Sequence, residues 1–258
     1  MEPLRLLLPP SEGKAPGGDG PPYDPAAGGF PRLRSAREKV RKGLRHREFD
    51  AVGQLGVKGV ALAGALAINR SIAGSPTLPA LRRYTGVLYD ALGYDTLEPA
   101  ERDRLDEEVL VVSGLLGLVR GGDPVPNYKA PMGAAVPGAG RLASYWKPCL
   151  AKELARDLGD AVVWDLLPGI HAAAAPIPST AVHWKVRVLR EKNGRLMTVS
   201  HENKTIKGAL ARVISVQRLT DPAALSGWTG PGGYRVRSST EPAAGRPGVV
   251  ELVASEPS

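Results

Sequence analysis

The run Leu4 to Leu8, LRLLL, is stopped at once by Pro9 and Pro10, and this abrupt ending constrains the fold more than any other feature. A mostly apolar segment of that length reads as a buried strand. Each proline removes a backbone donor and fixes φ, so the chain must leave the sheet there. The residues that follow, Ser11, Glu12, Gly13 and Lys14, form a polar, glycine-containing loop, the place where α/β proteins often put ligand-binding groups. A terminal strand with a plain solvated turn would look much the same.

The rest of the chain alternates in a similar way. Val109 to Val112 and Ala161 to Leu167 read as buried strands, and Val182 to Arg190 as another that leads through Asn193-Gly194 into Arg195 to Ser200. Helical spacing marks Arg32 to Phe49, Glu98 to Glu108, Leu142 to Leu158 and Glu202 to Leu219. Arg82 to Leu92 mixes β-branched and aromatic residues around Gly86 and then turns helical. In Arg32 to Phe49 the apolar positions Leu33, Ala36, Val40 and Leu44 share one face, which leaves a strongly positive exterior. In Glu202 to Leu219 the apolar face is Ile206, Ala209, Leu210, Val213 and Ile214, with Lys204, Lys207 and Arg212 opposite. Strands and helices interleaved in this manner point to an α/β, or mixed α+β, protein.

With 258 residues the chain has room for a sizeable core. No internal repeat or long linker divides it, so residues 1–253 read as one domain and 254–258 as a flexible tail. Aromatic residues are scarce and the core must be largely Leu, Val and Ala. Gly and Pro concentrate at residues 9–31, 120–140 and 227–248, which are therefore loops. Cys149 is the only cysteine, which excludes a disulfide framework or thiolate metal cluster and fits a reducing cytoplasm. In its helix it is either a buried packing residue or a redox sensor beside Lys147 and Lys152. No run approaches the roughly 18 apolar residues of a membrane span, and Pro9 and Pro10 cut the first apolar stretch below signal-peptide length.

The net charge is +8, and it is unevenly distributed. Residues 32–47 carry Arg32, Arg34, Arg37, Lys39, Arg41, Lys42, Arg45 and Arg47 against the single acid Glu38. A second basic region runs from Lys185 to Arg218, while Asp95 to Glu108 is acidic. The pattern suits a polyanion partner held through Lys and Arg, or else a solvated helix face. Between two helical stretches, Gly56-Val57-Lys58-Gly59 has the form of a helix-hairpin-helix turn, with Arg37, Arg41, Lys42, Gly56, Lys58 and Gly59 as candidate contacts to DNA phosphate. Close helix packing would use the same glycines.

Several catalytic classes are absent. His46, His171, His183 and His201 are dispersed without metal-ligand spacing, and there is no nucleophile elbow, dinucleotide fingerprint or full phosphate loop. No metal or cofactor is expected. What remains is a set of groups at the ends of short strands: Ser11, Lys14, Tyr84, Tyr89, Ser113, Arg120, Tyr128, Lys204 and Lys207. Side by side, these strands would gather them at one edge, where they suit recognition of an anion. Lys14, Tyr84 and Glu12 are the acid–base candidates, and Ser11, Lys14 and Tyr84 the catalytic ones.

The blocks PPSEGK, RYTGVLYDAL, VLVVSGLLGLVRGGDPVPNYKAPMGA, YWKP, EKNGRLMTVSHENKTIKGALARVI and RLTDPAALSGW together resemble the YaaA family of bacterial peroxide-stress proteins, nearly end to end. The resemblance implies a single domain of unusual topology, with a mixed sheet, surrounding helices and a helix-hairpin-helix-like element over about residues 32–72. It also implies DNA binding through a basic cleft lined by Ser11, Lys14, Tyr84, Ser113, Arg120, Lys204 and Lys207. The associated role is survival of hydrogen peroxide by limiting iron-dependent oxidation of DNA and protein; separately, the chain is expected to be a cytoplasmic monomer. This chain departs from the best-known branch at PPSEGK, at HENK and in the Gly- and Pro-rich residues 15–31, so an enzyme acting on a nucleotide, nucleobase or related anionic small molecule in the same cleft is the alternative.

Overall fold

The computed structural model describes residues 2–199, 202–243 and 245–254. At its centre is an eight-stranded sheet: β1 (Leu4–Leu8), β2 (Val109–Ser113), β3 (Gly117–Arg120), β4 (Val162–Asp165), β5 (Val182–Lys192), β6 (Arg195–Thr198), β7 (Arg235–Thr240) and β8 (Gly248–Ala254). The spatial order is β7-β8-β5-β4-β1-β2-β3, with β6 paired to β5. From β8 across to β2 the strands are parallel, and β3, β6 and β7 run antiparallel to their neighbours. The sheet is thus mixed and the fold α/β, as the sequence indicates.

All four leucines of β1 are buried, because the strand is central and covered on both faces. The chain leaves β1 to one side for β2 and β3, then crosses to the other side for β4 and β5. Such a reversal opens a crevice at the carboxyl ends of parallel strands. Pro9 to Lys14 follow β1 directly into that crevice.

Among the described residues the helices are α1 (Arg34–Leu44), α2 (Ala51–Leu55), α3 (Gly59–Ser71), α4 (Ala80–Arg83), α5 (Val87–Leu92), α6 (Pro99–Glu108), α7 (Leu142–Leu158), α8 (Gly169–Ala174) and α9 (Glu202–Gln217). Local chemistry sets their ends. Glu98 and Glu101 form a capping box ahead of α6, with Pro99 in its first turn. Asp50 caps α2 by accepting from the Gly53 N–H at 3.0 Å. Gly56 and Gly59 take φ of 66° and 56° in the turn between α2 and α3, a conformation open to glycine and strained for other residues. Asn193 and Gly194 likewise have positive φ, which gives the β5–β6 hairpin the twist its strands need. The expected end of that second strand at Ser200 lies outside the described residues, as do His201 and positions 255–258 of the expected tail.

The basic helix read over Arg32 to Phe49 is shorter than expected: a 3-10 turn at Pro31–Leu33 leads into α1, which stops at Leu44. Arg37 is a correction. It is not on the positive exterior but buried, at 1% exposure. Its guanidinium donates to the carbonyls of Leu116 (2.9 Å), Leu118 (2.8 Å), Pro25 and Ala27 (3.1 Å each). The reason is helical geometry, since position 37 shares the face of Leu33, Val40 and Leu44.

Lys207 repeats the theme on α9. It lies on the face of Leu210, Ala211 and Ile214 and is buried with them, donating to the Leu166 carbonyl at 3.0 Å. Arg212 is also committed, bonding the Leu92 and Gly93 carbonyls at the end of α5. The basic face expected for this helix is therefore taken up largely by internal contacts.

Candidate functional site

The crevice beyond β1 and β4 holds a cavity of about 630 Å³. Its floor is the loop Pro9 to Lys14, and one side is Thr85 to Tyr89 at the start of α5. Tyr128 to Gly133 and Pro168, Ile170 and His171 form two further sides, with Lys204 of α9 at the wall. The α2–α3 pair closes it through Leu55, Val57, Ala61 and Ala65. Cavities of this size accommodate a small molecule.

Side-chain bonds hold these walls in place. Asn69 of α3 is fully buried and exchanges two hydrogen bonds with the Lys129 backbone: its Nδ2 donates to the Lys129 carbonyl and its Oδ1 accepts from the Lys129 N–H, each at 2.8 Å. Gln54 of α2 accepts from the Ala135 N–H at 2.6 Å. The glycine-turn helices are thereby tied to the segment that carries Tyr128 and Lys129. Lys129 Nζ reaches back to the Glu12 carbonyl at 2.8 Å, joining that segment to the floor.

Lys14 is the central cation. Its backbone forms a bridge with Tyr84, and its Nζ donates to the Ser11 carbonyl at 3.0 Å. The same nitrogen stands 4.1 Å from the centre of the Tyr128 ring, within cation–π range. Burial, and then the nearby charges of Lys129 and Arg83, push its pKa down to about 7, against a small opposing effect of Glu12. A lysine in this state is part neutral amine at physiological pH.

Behind the cavity wall runs a chain of hydroxyls. Tyr84 and Tyr128 share a hydrogen bond of 2.9 Å, and Tyr128 and Ser113 one of 2.7 Å. Ser113 Oγ also accepts from the Leu116 N–H at 3.1 Å. Burial raises the Tyr84 phenol to about 12 and those of Tyr89 and Tyr128 well above the usual value. These phenols therefore stay protonated, and Tyr84 is no general base near neutrality. His171 is held neutral, pushed down to about 4 by burial, and its Nδ1 is buried without a hydrogen-bond partner.

Of the residues expected at the site, Ser11, Lys14, Tyr89, Tyr128 and Lys204 line the cavity. Tyr84 and Ser113 lie one layer behind, joined to it through Tyr128. The Ser11 hydroxyl is engaged in its own loop, donating to the Gly13 carbonyl and accepting from the Thr85 N–H. Arg120 is a further correction. It pairs with Leu110 near the start of β2, whereas Ser113 ends that strand, so it belongs to the opposite edge of the sheet. There its guanidinium pairs with Asp157, which also takes Arg5 at 3.1 Å. Lys207 is directed at the Leu166 carbonyl instead of the cavity.

Lys129, His171 and the apolar wall from α2 and α3 are additions. Lys129 adjoins Tyr128 in sequence, so that proximity was available as a signal. Together the cavity offers Lys14, Lys129 and Lys204 against Glu12, with an apolar wall opposite, a combination suited to a molecule with one anionic and one apolar part. No cluster of three or more His, Cys, Asp or Glu side chains able to hold a metal occurs among the described residues. Nor is any helix there long and apolar enough to cross a membrane.

Known proteins agree with this chain over most of its length. The family model described as peroxide stress protein YaaA matches residues 4–240. A UPF0246 protein of Streptomyces coelicolor is 36% identical over 98% of this chain and 99% of its own. UPF0246 proteins of Corynebacterium efficiens and Corynebacterium glutamicum are 38% and 36% identical, over 82% and 83% of this chain and 85% of each relative. Such extended similarity includes every strand that frames the cavity, and the chain belongs to the YaaA family of peroxide stress proteins.

Proposed function

We propose that this protein serves the response to hydrogen peroxide by binding DNA along its phosphates and limiting iron-dependent oxidative damage, in the cytoplasm and as a monomer. The observation that carries this reading is the outward charge of α1 and its flanks. Arg32, Arg34, Lys39, Lys42, Arg45 and Arg47 are exposed, and Glu38 pairs chiefly with Arg41. The α2–α3 turn adds exposed Lys58, and the two glycines around it have no atom near where a Cβ would stand, so a phosphate could approach the backbone. Both features sit on one support: Gly43 packs against Val136, and Gln54 bonds to Ala135. The test is duplex binding by fluorescence anisotropy across salt concentrations. Affinity should fall steeply with salt, as phosphate contacts require, and a flat salt dependence overturns the reading.

A second reading, an enzyme acting on a nucleotide, nucleobase or related anionic small molecule, is favoured by the desolvated Lys14 in a partly open cavity of about 630 Å³. Under it, Lys14→Ala abolishes turnover and spares DNA affinity, because Lys14 is not among the exposed cations of α1 and the α2–α3 turn that the DNA reading uses. Equal loss of both would argue against a separate active site.

A further inference from the structure

Lys14 has the setting of a nucleophile more than that of an anion anchor. Nζ is held from two sides, by the Ser11 carbonyl and by the face of the Tyr128 ring. No carboxylate among the described residues lies in ion-pair range of it. The nearby cations Lys129 and Arg83 disfavour a further positive charge there, and an amine desolvated beside other cations is the arrangement that activates lysine for attack on carbonyl carbon. Lys129 and Lys204, which also line the cavity, are left to hold an anionic group. Tyr128 is locked in place by Tyr84 and Ser113, so the ring under Nζ cannot swing away.

We propose that Lys14 forms a covalent imine with the aldehyde of a phosphate-bearing sugar, whose phosphate is held by Lys129 and Lys204. This rests on the reading of the cavity as a site for an anionic small molecule or nucleotide, and names its chemistry. The neutral Nζ adds its lone pair to the aldehyde carbon while the carbonyl π pair moves to oxygen, which takes up the proton that the nitrogen gives up. The resulting carbinolamine loses that oxygen as water after a second protonation, leaving a protonated imine. The balance is amine plus aldehyde plus one proton giving iminium plus water, with no oxidant or reductant. Addition of water reverses the sequence and frees Lys14.

Such an aldehyde has two sources, a free sugar phosphate and the ring-opened abasic deoxyribose of damaged DNA, which carries phosphates on both sides. The experiment incubates the full chain with sodium cyanoborohydride and either 2-deoxyribose 5-phosphate or a duplex with one abasic site, then maps the adduct by peptide mass spectrometry. The expected result is reductive trapping on Lys14 with one of the two, lost in Lys14→Arg and reduced at least tenfold in the Lys129→Ala, Lys204→Ala double variant. The arm that labels Lys14 identifies the source. Labelling scattered over surface lysines and unchanged in Lys14→Arg, or no labelling, overturns the proposal. Thermal shift with ribitol 5-phosphate, which has the phosphate without the aldehyde, separates the two ideas. Stabilisation by this alcohol that the double variant abolishes, with no trapping, refutes the imine and leaves the cavity reading standing; absence of both refutes the two together.

Discussion

Lys14 Nζ lies 4.1 Å from the centre of the Tyr128 ring, and that aromatic face is attractive to an ammonium that burial otherwise disfavours. Because the folded pKa of about 7 is below the ordinary lysine value, folding opposes protonation. Below pH 7 the group is charged in both states and the full penalty is present. As pH rises from 7 towards 10 the unfolded chain stays protonated while the folded one does not, and the penalty fades. Lys14→Met should therefore be more stable than the parent at pH 6, with the advantage shrinking as pH rises. Urea melts at several pH values check this, and a constant difference would refute it. Lys129, Arg83 and Glu12 are the charges that modulate the midpoint.

Arg37 carries structure. Arg37→Met should cost about 3 kcal/mol or more, since it removes buried charged donors from the Leu116, Leu118, Pro25 and Ala27 carbonyls, of which Leu116 keeps only the Leu118 N–H at 3.0 Å. DNA affinity per folded molecule should not change. Arg34→Glu combined with Lys42→Glu gives the converse, with unfolding nearly unaltered and salt-dependent binding weakened. Chemical denaturation and anisotropy together distinguish the two positions.

Gly208→Ala tests how α9 supports the cavity. A Cβ there would collide with the Leu88 carbonyl and approach Ala91 at 2.9 Å, so α5 would have to move. Overpacking of this kind typically costs about 1–3 kcal/mol. Tyr89 belongs to α5 and bonds the Pro9 carbonyl at 2.8 Å, so the same variant should also weaken any ligand of the cavity. An undiminished melting temperature would show that α5 and α9 separate freely.

Asn69→Leu should loosen the wall without disturbing the sheet. It leaves the Lys129 N–H and carbonyl without their partners, at roughly 1–3 kcal/mol for each buried group. Hydrogen exchange should accelerate around residues 128–133 and remain slow in β1 and β4. Uniform acceleration would mean that the contact supports the whole fold.

Much of the framework was legible because short-range patterns determine it. The leucine run of β1 and the helix Leu142–Leu158 have the bounds that the sequence implies. Charge proved the poorer guide. Their charge marks Arg37 as a phosphate contact on the helix exterior and Lys207 as a cleft residue, although their helical positions align them with apolar neighbours. Arg120 was misplaced for a topological reason: Ser113 pairs with Gly117, so the intervening turn sends the chain back to the other edge of the sheet. The apolar wall of the cavity escaped notice because it depends on Asn69 meeting Lys129, a contact no local pattern encodes. At the site itself, Ser11, Lys14 and Tyr128 come together around one cavity, Tyr128 from a loop and not from a strand end, and burial sets which of them keeps an uncommitted functional group.

The central place of β1 also governs how the molecule is made. Leu6 pairs with Val109 on one side and with Trp164 on the other, so β1 gains no partner in this sheet until much later segments have been synthesised. Closing such long loops is slow, and an apolar strand waiting with both edges bare is prone to associate with other chains. The cavity lined by Pro9 to Lys14 cannot assemble before β4 docks. Nascent molecules are therefore without the site through most of synthesis, and their yield should depend on chaperone supply more than the stability of the finished protein would suggest.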